Sequence, residues 1–483
     1  MTLTNKSCII KFASIILLMI SIFLATYVSV QQFPLEVLES ANVLTGIRFS
    51  LGQNPFDEFY PQDSNPYGVI FPFLVSVFSI LEDHLVNARI ITISCLVITA
   101  ILFVSSSKNK SITMLSTAYW VAGSIFILNF LGTFPNQLGV TIYSLSLLLY
   151  QRNKSFQTLI LVALLGPLAF YTKPYFVIAS LVVISYHFFW VSKNQAIKST
   201  VLSIGIYLAT ILLVDIYLPF FFHGTFFTLA HWTGFSYELL LNQSVKFCFY
   251  FAPLIWFAIL AIKNNADNEQ NYGFELYALC VITTIMLYLG GRGGAYDMSY
   301  HTQLLTPVLL LCIGSSANIF KSIKVEVFAI SSVAIITLWF FYKLYIFSNE
   351  HFDKWNMQWS AVTMSLKAET CPYASVPMAL KVANNKCADY ESGTTGYYAE
   401  TPSPQNGYNK SQAYYDDLSN KINDGYYSAL YISDWPVGIY MPLRRGVSLE
   451  KHYEKTISFT IPSFYEELYS NNKYTGITLW RKK

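Results

Sequence analysis

Charged residues are scarce in this sequence. Of its 483 residues, Lys and Arg contribute 31 and Asp and Glu 28, whereas 54% are hydrophobic. Apolar runs long enough to cross a bilayer recur between Ser7 and Phe347, and each must be helical, because in lipid an open sheet would leave backbone polar groups without partners. The sequence therefore predicts a polytopic membrane protein whose first two thirds form an all-α bundle.

Several signatures of other protein classes are missing. There is no Gly-rich phosphate loop and no Asp-x-Asp in the connections predicted to be cytoplasmic, so nothing indicates a nucleotide-sugar site. No two histidines have a metal-ligand spacing such as His-x-x-x-His, and we expect no metal and no cofactor. The net charge of +3 belongs mostly to loops between spans and predicts no nucleic-acid partner.

The apolar runs predict about eleven transmembrane helices. Basic residues fall on alternate connections, for example Lys108 with Lys110 and Arg152 with Lys154. By the positive-inside rule these connections are cytoplasmic, which places the N-terminus inside and the C-terminal segment outside. The predicted spans lie near residues 9–30, 90–106, 112–130, 138–150, 156–171, 175–192, 199–219, 247–262, 273–290, 302–319 and 325–347.

The chain changes character after Ser348. It becomes polar and rich in tyrosine, and no further apolar run is long enough to span. We therefore predict two domains, a membrane bundle over 1–348 and a soluble, extracytoplasmic α/β domain over 349–483. This tail contains Cys371 and Cys387, and a cysteine pair in an exported domain is typical of a disulfide. Two free thiols are the alternative.

The first outward connection, residues 31–89, is unusually long. Its two apolar pieces, 35–51 and 67–81, are too short or too interrupted to span and predict helices along the membrane surface. Glu39 lies in the first piece, where partial burial makes a carboxylate unfavourable unless it is paired or used. Asp57 and Glu58 lie between the two pieces, and each is predicted to be a solvated loop charge if it has no catalytic role.

A lysine interrupts two apolar runs in the stretch FYTKPYF, residues 170–176. Lys173 lies at the predicted outer end of a span, and Pro174 after it breaks the helix and exposes backbone donors. An outward lysine runs against the positive-inside rule, so we expect an anionic partner, and a lipid phosphate is one that a membrane supplies. The alternative is a lysine that extends along the helix end towards water.

Two arginines are also predicted to face outward. Arg89 precedes the second span, and Arg292 lies in GGRGGAYDMSYH, where flanking glycines let the backbone approach a ligand closely. The alternative for Arg292 is a turn with one solvated arginine. Four residues that accompany Arg292 are expected to line the same cavity, namely Tyr296, Asp297, Tyr300 and His301.

Three segments, in this order, resemble the GT-C glycosyltransferases that use polyprenyl-phosphate sugars. They are LESANVLTGIRFSLGQNPF, LLGPLAFYTKPYFVIASLVVI and GRGGAYDMSYHTQLLTPVLLL. The sequence differs from the family pattern in having Leu38 before Glu39, where the family often has Asp, and in lacking an acidic residue in LGTFPNQLGV. Length, the external tail and the terminal WRKK are similar to the bacterial O-antigen glucosyltransferases that change serotype.

This resemblance implies a GT-C fold in the bacterial inner membrane, with the tail in the periplasm. It implies an inverting transfer of a sugar, glucose in the serotype-converting group, from undecaprenyl phosphate to a hydroxyl of a lipid-linked glycan or lipopolysaccharide O-antigen. Nucleotide sugars are absent outside the cytoplasm, so a donor would have to arrive in the bilayer as a lipid phosphate.

The predicted roles follow from that reaction. Glu39 is expected to be the general base, with Asp57 and Glu58 as alternatives. Lys173 is expected to stabilise the phosphate, helped by Arg89, Arg292 and Tyr175. Two other functions stay open, a transporter or flippase for a lipid-linked glycan and an O-antigen polymerase, although no internal repeat supports a transporter.

Overall fold

The computed structural model describes most of the chain with gaps at several connections. The described residues are 3–31, 39–56, 68–78, 83–127, 135–219, 221–222, 237–265, 274–290, 298–317, 319–320, 323–375, 378–382, 385, 387–390, 416–433, 446–462 and 474–483.

The first part of the chain is a helical bundle. Each stretch predicted to span contains an α-helix, and a 3-10 turn at Pro174–Val177 joins the helices Phe156–Thr172 and Ile178–Trp190. Four described helices are long and apolar enough to cross a membrane, or five if the bent pair 240–250 and 252–264 is one span. The helices are α1 (Leu3–Ser29), α2 (Glu39–Ser50), α3 (Ile70–Val77), α4 (His84–Ser106), α5 (Lys110–Ile127), α6 (Asn136–Arg152), α7 (Phe156–Thr172), α8 (Ile178–Trp190), α9 (Lys193–Tyr217), α10 (Tyr237–Tyr250), α11 (Ala252–Asn265), α12 (Phe274–Gly290), α13 (Met298–Ser315) and α14 (Ile323–Lys367).

Side-chain caps and a proline explain where several helices begin and end. Asp83 Oδ1 accepts hydrogen bonds from the backbone N–H groups of Leu85 and Val86 at 2.9 and 3.3 Å, which satisfies the free donors at the start of α4. At the end of α7, Lys173 is extended, with φ −161° and ψ 125°. A residue before proline avoids the helical region, so Pro174 ends α7 at Thr172.

The connections predicted to be cytoplasmic meet at one end of the bundle. The backbone N–H of Lys108 donates to the carbonyl of Gly314 at 2.8 Å, and Arg152 Nη2 donates to Ser106 Oγ at 3.0 Å. The basic connections are therefore neighbours in space as well as alternating along the chain. The number of membrane crossings and the side on which each end lies stay predictions.

Helices α2 and α3 pack tightly against each other and against α4. Val43 and Phe71 are fully buried between them. Gly46 allows the close approach, because a Cβ at this position would lie 2.7 Å from Val75 Cγ1. These two helices were predicted to lie along the membrane surface, and in the structure they also form a compact hydrophobic cluster on the bundle.

Helix α14 runs without a break from the bundle into the tail. Its 45 residues extend over about 67 Å at 1.5 Å per residue, so the domain boundary predicted at residue 348 falls inside a helix. Trp355 and Trp359 lie beyond that point and are each only 2% exposed. They belong to one hydrophobic core that bundle and tail share.

The tail contains a five-stranded mixed sheet with helices. Its strands are β1 (Pro372–Ala374), β2 (Asp389–Tyr390), β3 (Ala429–Ser433), β4 (Tyr453–Pro462) and β5 (Tyr474–Lys482). The strand order is β2-β1-β3-β5-β4. Strand β1 pairs in parallel with both β2 and β3, whereas β5 is antiparallel to β3 and β4. Cys371 and Cys387 form a disulfide that joins the start of β1 to the start of β2, with Cα atoms 5.2 Å apart. The tail also contains the short helix α15 (Ala379–Val382) and a helix over 416–423.

Candidate functional site

Lys173 is buried at the break between α7 and α8. The residue is only 5% exposed, which shows that its side chain is turned inward. The ammonium donates a hydrogen bond to Asn136 Oδ1 at 2.8 Å and lies 5.1 Å from the centre of the Tyr175 ring. A lysine that extended to water at a helix end would be exposed instead. The structure thus holds this charge among polar and aromatic side chains at the end of the bundle.

A glycine on α6 brings Asn136 to the lysine. A Cβ on Gly139 would lie 2.0 Å from Phe176 Cε2, so only glycine lets this ring pack against the first turn of α6. Phe176 belongs to the 3-10 turn after Lys173, and its backbone N–H donates to the Lys173 carbonyl at 3.0 Å. The contact between Gly139 and Phe176 therefore fixes the distance between α6 and the lysine turn.

The connection between α2 and α3 also contacts the lysine turn. Because the N–H of Phe176 bonds to Lys173, the carbonyl of Thr172 lacks its usual helical donor, and the N–H of Gly68 binds it at 3.2 Å. A Cβ on Gly68 would lie 1.6 Å from the Tyr171 carbonyl oxygen. The loop that contains Asp57 and Glu58 in sequence thus returns to the backbone beside Lys173.

Helix α13 also contacts the surroundings of Lys173, through Tyr175. The Tyr175 hydroxyl donates to Gln303 Oε1 and lies 3.5 Å from Asn136 Oδ1. Gln303 is fully buried. We call Asn136, Lys173, Tyr175 and Gln303 the lysine cluster. It combines one cation, one phenol and two carboxamides, a set suited to a polar, anionic group.

Glu39 is the first residue of α2. The structure describes its backbone and leaves its side chain undescribed. Helix α2 packs through Val43 and Leu44 against α3 and α4, and Leu138 of α6 packs against the same cluster. Leu138 follows Asn136 by two residues, so α2 and the lysine cluster both adjoin the first turns of α6. The catalytic role of Glu39 stays a prediction.

Arg89 is fully buried on α4. Its Nη1 donates to the carbonyl of Gln31 at 2.5 Å, which ties α4 to the end of α1. Gln31 also accepts a hydrogen bond at its side-chain oxygen from Asn356 of α14 at 3.0 Å. Arg89 thus lies where α1, α4 and α14 meet, and its part in phosphate binding stays a prediction.

The remaining predicted site residues are described only in part. Asp57, Glu58, Arg292, Tyr296 and Asp297 lie outside the described residues. Tyr300 and His301 lie in the first turn of α13, where the structure describes the backbone. Among the residues that the structure describes, no group of three or more His, Cys, Asp or Glu side chains is arranged to hold a metal ion.

Asn136 and Gln303 were not among the site residues predicted from the sequence. Asn136 lies in LGTFPNQLGV, the segment that lacks the acidic residue of the family pattern. This loop therefore contains a neutral amide where the family pattern has a carboxylate. Gln303 is a single amide near the start of the apolar helix α13. The only sequence signal for either position is an amide in or beside an apolar segment. Such an amide is unfavourable there unless it has a hydrogen-bond partner.

The tail contacts the same end of the bundle. Ala379 of α15 is fully buried in the hydrophobic cluster of α2 and α3. Two residues later, Lys381 Nζ lies 3.3 Å from Asp83 Oδ2, at the start of α4. The tail therefore packs directly on the helix that begins at Glu39.

Comparisons with known proteins find a shared fold. No family model and no curated protein sequence matches the chain. Among solved structures, the crystal structure of ArnT from Cupriavidus metallidurans bound to undecaprenyl phosphate is similar, with a TM-score of 0.58 and 12% sequence identity, over 96% of this chain and 97% of the ArnT chain. This likeness extends along nearly the whole chain and shows a shared fold, and the apolar helices agree with the predicted multi-pass membrane protein.

Proposed function

We propose that this protein is a GT-C glycosyltransferase that moves a sugar from a polyprenyl-phosphate donor to a hydroxyl of a glycan. The observation that carries the proposal is the buried ammonium of Lys173, held by Asn136 at the end of a bundle whose fold resembles a protein crystallised with undecaprenyl phosphate. A phosphate at a membrane surface is the ligand whose charge complements such a group.

The lysine cluster suits a phosphate that acts as a leaving group. As the bond between the sugar and the phosphate breaks, negative charge grows on the phosphate oxygens. A fixed ammonium in a site that excludes water stabilises that charge more strongly than it would in bulk solvent. Tyr175 packs against Lys173 and holds it in place, and Arg292 and Arg89 are proposed to add positive charge.

The proposed reaction is a single displacement with inversion. The acceptor oxygen attacks the anomeric carbon, and its proton passes to the Glu39 carboxylate. The carbon–oxygen bond to the phosphate breaks with its electron pair, which leaves on the lipid phosphate. Asp57 and Glu58 are the alternative bases, since they belong to the loop that docks beside Lys173 at Gly68.

The finer assignment rests on the sequence resemblance. We propose that the donor is undecaprenyl-phosphate glucose, that the acceptor is an O-antigen or another surface glycan, and that the reaction occurs on the periplasmic side of the inner membrane. The contact of the tail with α2 supports a place for the tail beside the acceptor.

The test is transfer by the purified full-length protein. Synthetic undecaprenyl-phosphate glucose and an O-antigen-bearing acceptor are incubated with the wild type, Lys173→Ala and Lys108→Ala, and the anomeric configuration of the product is determined. We expect an inverted product from the wild type and from Lys108→Ala, whose lysine is exposed at the opposite end, and little from Lys173→Ala.

A flippase or a polymerase would give other results. Movement of the lipid-linked glycan across vesicles without sugar transfer would indicate a flippase, and joining of whole repeat units would indicate a polymerase. Either outcome contradicts the proposed reaction.

A further inference from the structure

One amide in the lysine cluster has an unused donor. Gln303 is fully buried, and its Oε1 accepts the hydrogen bond from the Tyr175 hydroxyl. Its Nε2 has no acceptor among the residues that the structure describes. A buried N–H group without an acceptor is unfavourable, because it has lost its hydrogen bonds to water and gained none. The amide therefore points to a ligand that supplies the acceptor.

The position of this amide relative to Lys173 is fixed by Tyr175. The phenol hydroxyl holds Gln303 Oε1, and the ring of the same tyrosine lies 5.1 Å from Lys173 Nζ. Both Lys173 Nζ and the Tyr175 hydroxyl approach Asn136 Oδ1, at 2.8 and 3.5 Å. With its oxygen engaged, Gln303 presents the NH₂ end of its carboxamide, which can only donate.

We infer that Gln303 Nε2 donates a hydrogen bond to the phosphate of the lipid donor, beside Lys173. This inference rests on the proposed function and adds a neutral ligand to its donor site. A phosphate offers only acceptor oxygens, so it matches an amide N–H and an ammonium together. Gln303 would orient the phosphate, and Lys173 would carry most of the charge stabilisation.

The chain offers a matched control one turn away. Thr306 is also fully buried on α13, and its hydroxyl likewise has no partner among the described residues. No described contact joins Thr306 to the lysine cluster. Thr306→Val therefore tests whether any buried polar atom of this helix contributes to binding, or whether the effect requires contact with the lysine cluster.

The experiment measures equilibrium binding to purified full-length protein in detergent. The probes are undecaprenyl phosphate, undecaprenol and inorganic phosphate, and the variants are Gln303→Leu, Gln303→Glu and Thr306→Val. Gln303→Glu keeps an acceptor for Tyr175 and replaces the NH₂ group by an oxygen, so it tests the donor even if Gln303→Leu fails to fold. We expect Gln303→Leu to bind undecaprenyl phosphate about 10- to 100-fold more weakly, as for loss of a hydrogen bond to a charged group. Gln303→Glu should bind it at least as weakly, because its carboxylate also repels the phosphate.

Undecaprenol and Thr306→Val serve as the controls for this binding experiment. Undecaprenol binding should be the same in the wild type and all variants, and Thr306→Val should bind undecaprenyl phosphate as the wild type does. The role of Gln303 is overturned if Gln303→Glu binds undecaprenyl phosphate as the wild type does. It is also overturned if Thr306→Val loses as much affinity as the Gln303 variants.

The source of the phosphate is tested separately. If inorganic phosphate binds the wild type as tightly as undecaprenyl phosphate does, and if its affinity falls by the same factor in Gln303→Glu, the assignment to a lipid is overturned. A wild type that binds undecaprenol as tightly as undecaprenyl phosphate contradicts the proposed function itself, whereas a wild-type preference for the phosphate that Gln303→Glu retains contradicts only the inference.

Discussion

Lys381 in the tail and Asp83 in the bundle form an ion pair of 3.3 Å, and Asp83 simultaneously caps α4 through its other carboxylate oxygen. Each side chain is 24% exposed. One carboxylate thus fixes the start of a bundle helix and the position of the tail. Ala379, two residues before Lys381, is buried against α2, so this contact sets the tail beside the helix that begins at Glu39.

The two functions of Asp83 can be separated by mutation. Asp83→Ala removes both the helix cap and the ion pair. We expect it to lower the free energy of unfolding by about 1 to 2 kcal/mol, mostly because the cap is lost. Lys381→Ala removes only a partly exposed pair, which typically contributes less than about 1 kcal/mol. Denaturation of the purified protein measures both. An equal loss in the two variants would show that the cap contributes nothing.

Glu39→Gln should abolish transfer and leave donor binding nearly intact. Glutamine keeps the size of the side chain but cannot accept the proton of the acceptor, so turnover should fall by about 10²- to 10⁴-fold. Single-turnover transfer and donor affinity are measured separately. If Glu39→Gln turns over like the wild type, the base lies elsewhere, and Asp57→Asn and Glu58→Gln are the next variants.

Asn136→Asp should weaken binding of the lipid phosphate at least as much as Asn136→Ala does. The new carboxylate would lie at the position of an oxygen 2.8 Å from Lys173 Nζ, where it would pair with the ammonium and repel a phosphate. Equilibrium binding of undecaprenyl phosphate measures the difference. Asn109→Asp places the same change at the opposite end of the bundle, where Asn109 bonds the Ala317 carbonyl, and it should bind the lipid as the wild type does.

Gly139→Ala should disturb the lysine cluster from a distance. The added Cβ would overlap the Phe176 ring, and relief by moving a helix or ring costs about 1 to 3 kcal/mol. We expect lower stability and weaker binding of undecaprenyl phosphate, with partial recovery in Gly139→Ala/Phe176→Leu. Gly205→Ala is the control, because a Cβ there meets no atom within 4 Å. Full donor affinity in Gly139→Ala would show that this contact does not position Lys173.

The disulfide of the tail should resist alkylation in exported protein. Without reductant, neither Cys371 nor Cys387 should be labelled, and reductant should expose both. Cys371→Ser should destabilise the tail by about 3 kcal/mol, the value typical of a bridge that closes a loop of about 15 residues. Complete labelling without reductant would contradict the bridge.

The sequence predicts the helices and the lysine turn better than it predicts the neighbours of the turn. Apolar runs and Pro174 suffice to place the helices on either side of Lys173. Asn136 and Gln303 reach Tyr175 across separations of 39 and 128 residues, and neutral amides have no charge pattern that reveals such pairing. Their proximity depends on how α6 and α13 pack, which a single sequence does not specify.

The extension of α14 was missed for a different reason. The chain turns polar after residue 348, which is typical of a domain boundary, but a helix outside the membrane needs only one apolar stripe to pack. Trp355, Trp359, Val362 and Leu366 recur at helical spacing and are all buried. That stripe extends the helix to Lys367.

Because α14 is unbroken, it fixes the rotation of the tail about the helix axis relative to the bundle. Each residue of an α-helix turns the chain by about 100° and advances it by about 1.5 Å. One residue inserted between Ser348 and Trp355 would swing the tail around the helix axis and carry Lys381 away from Asp83. An insertion of about eleven residues restores the angle after three turns but raises the tail by about 16 Å. This stretch therefore tolerates length changes far less than a loop would.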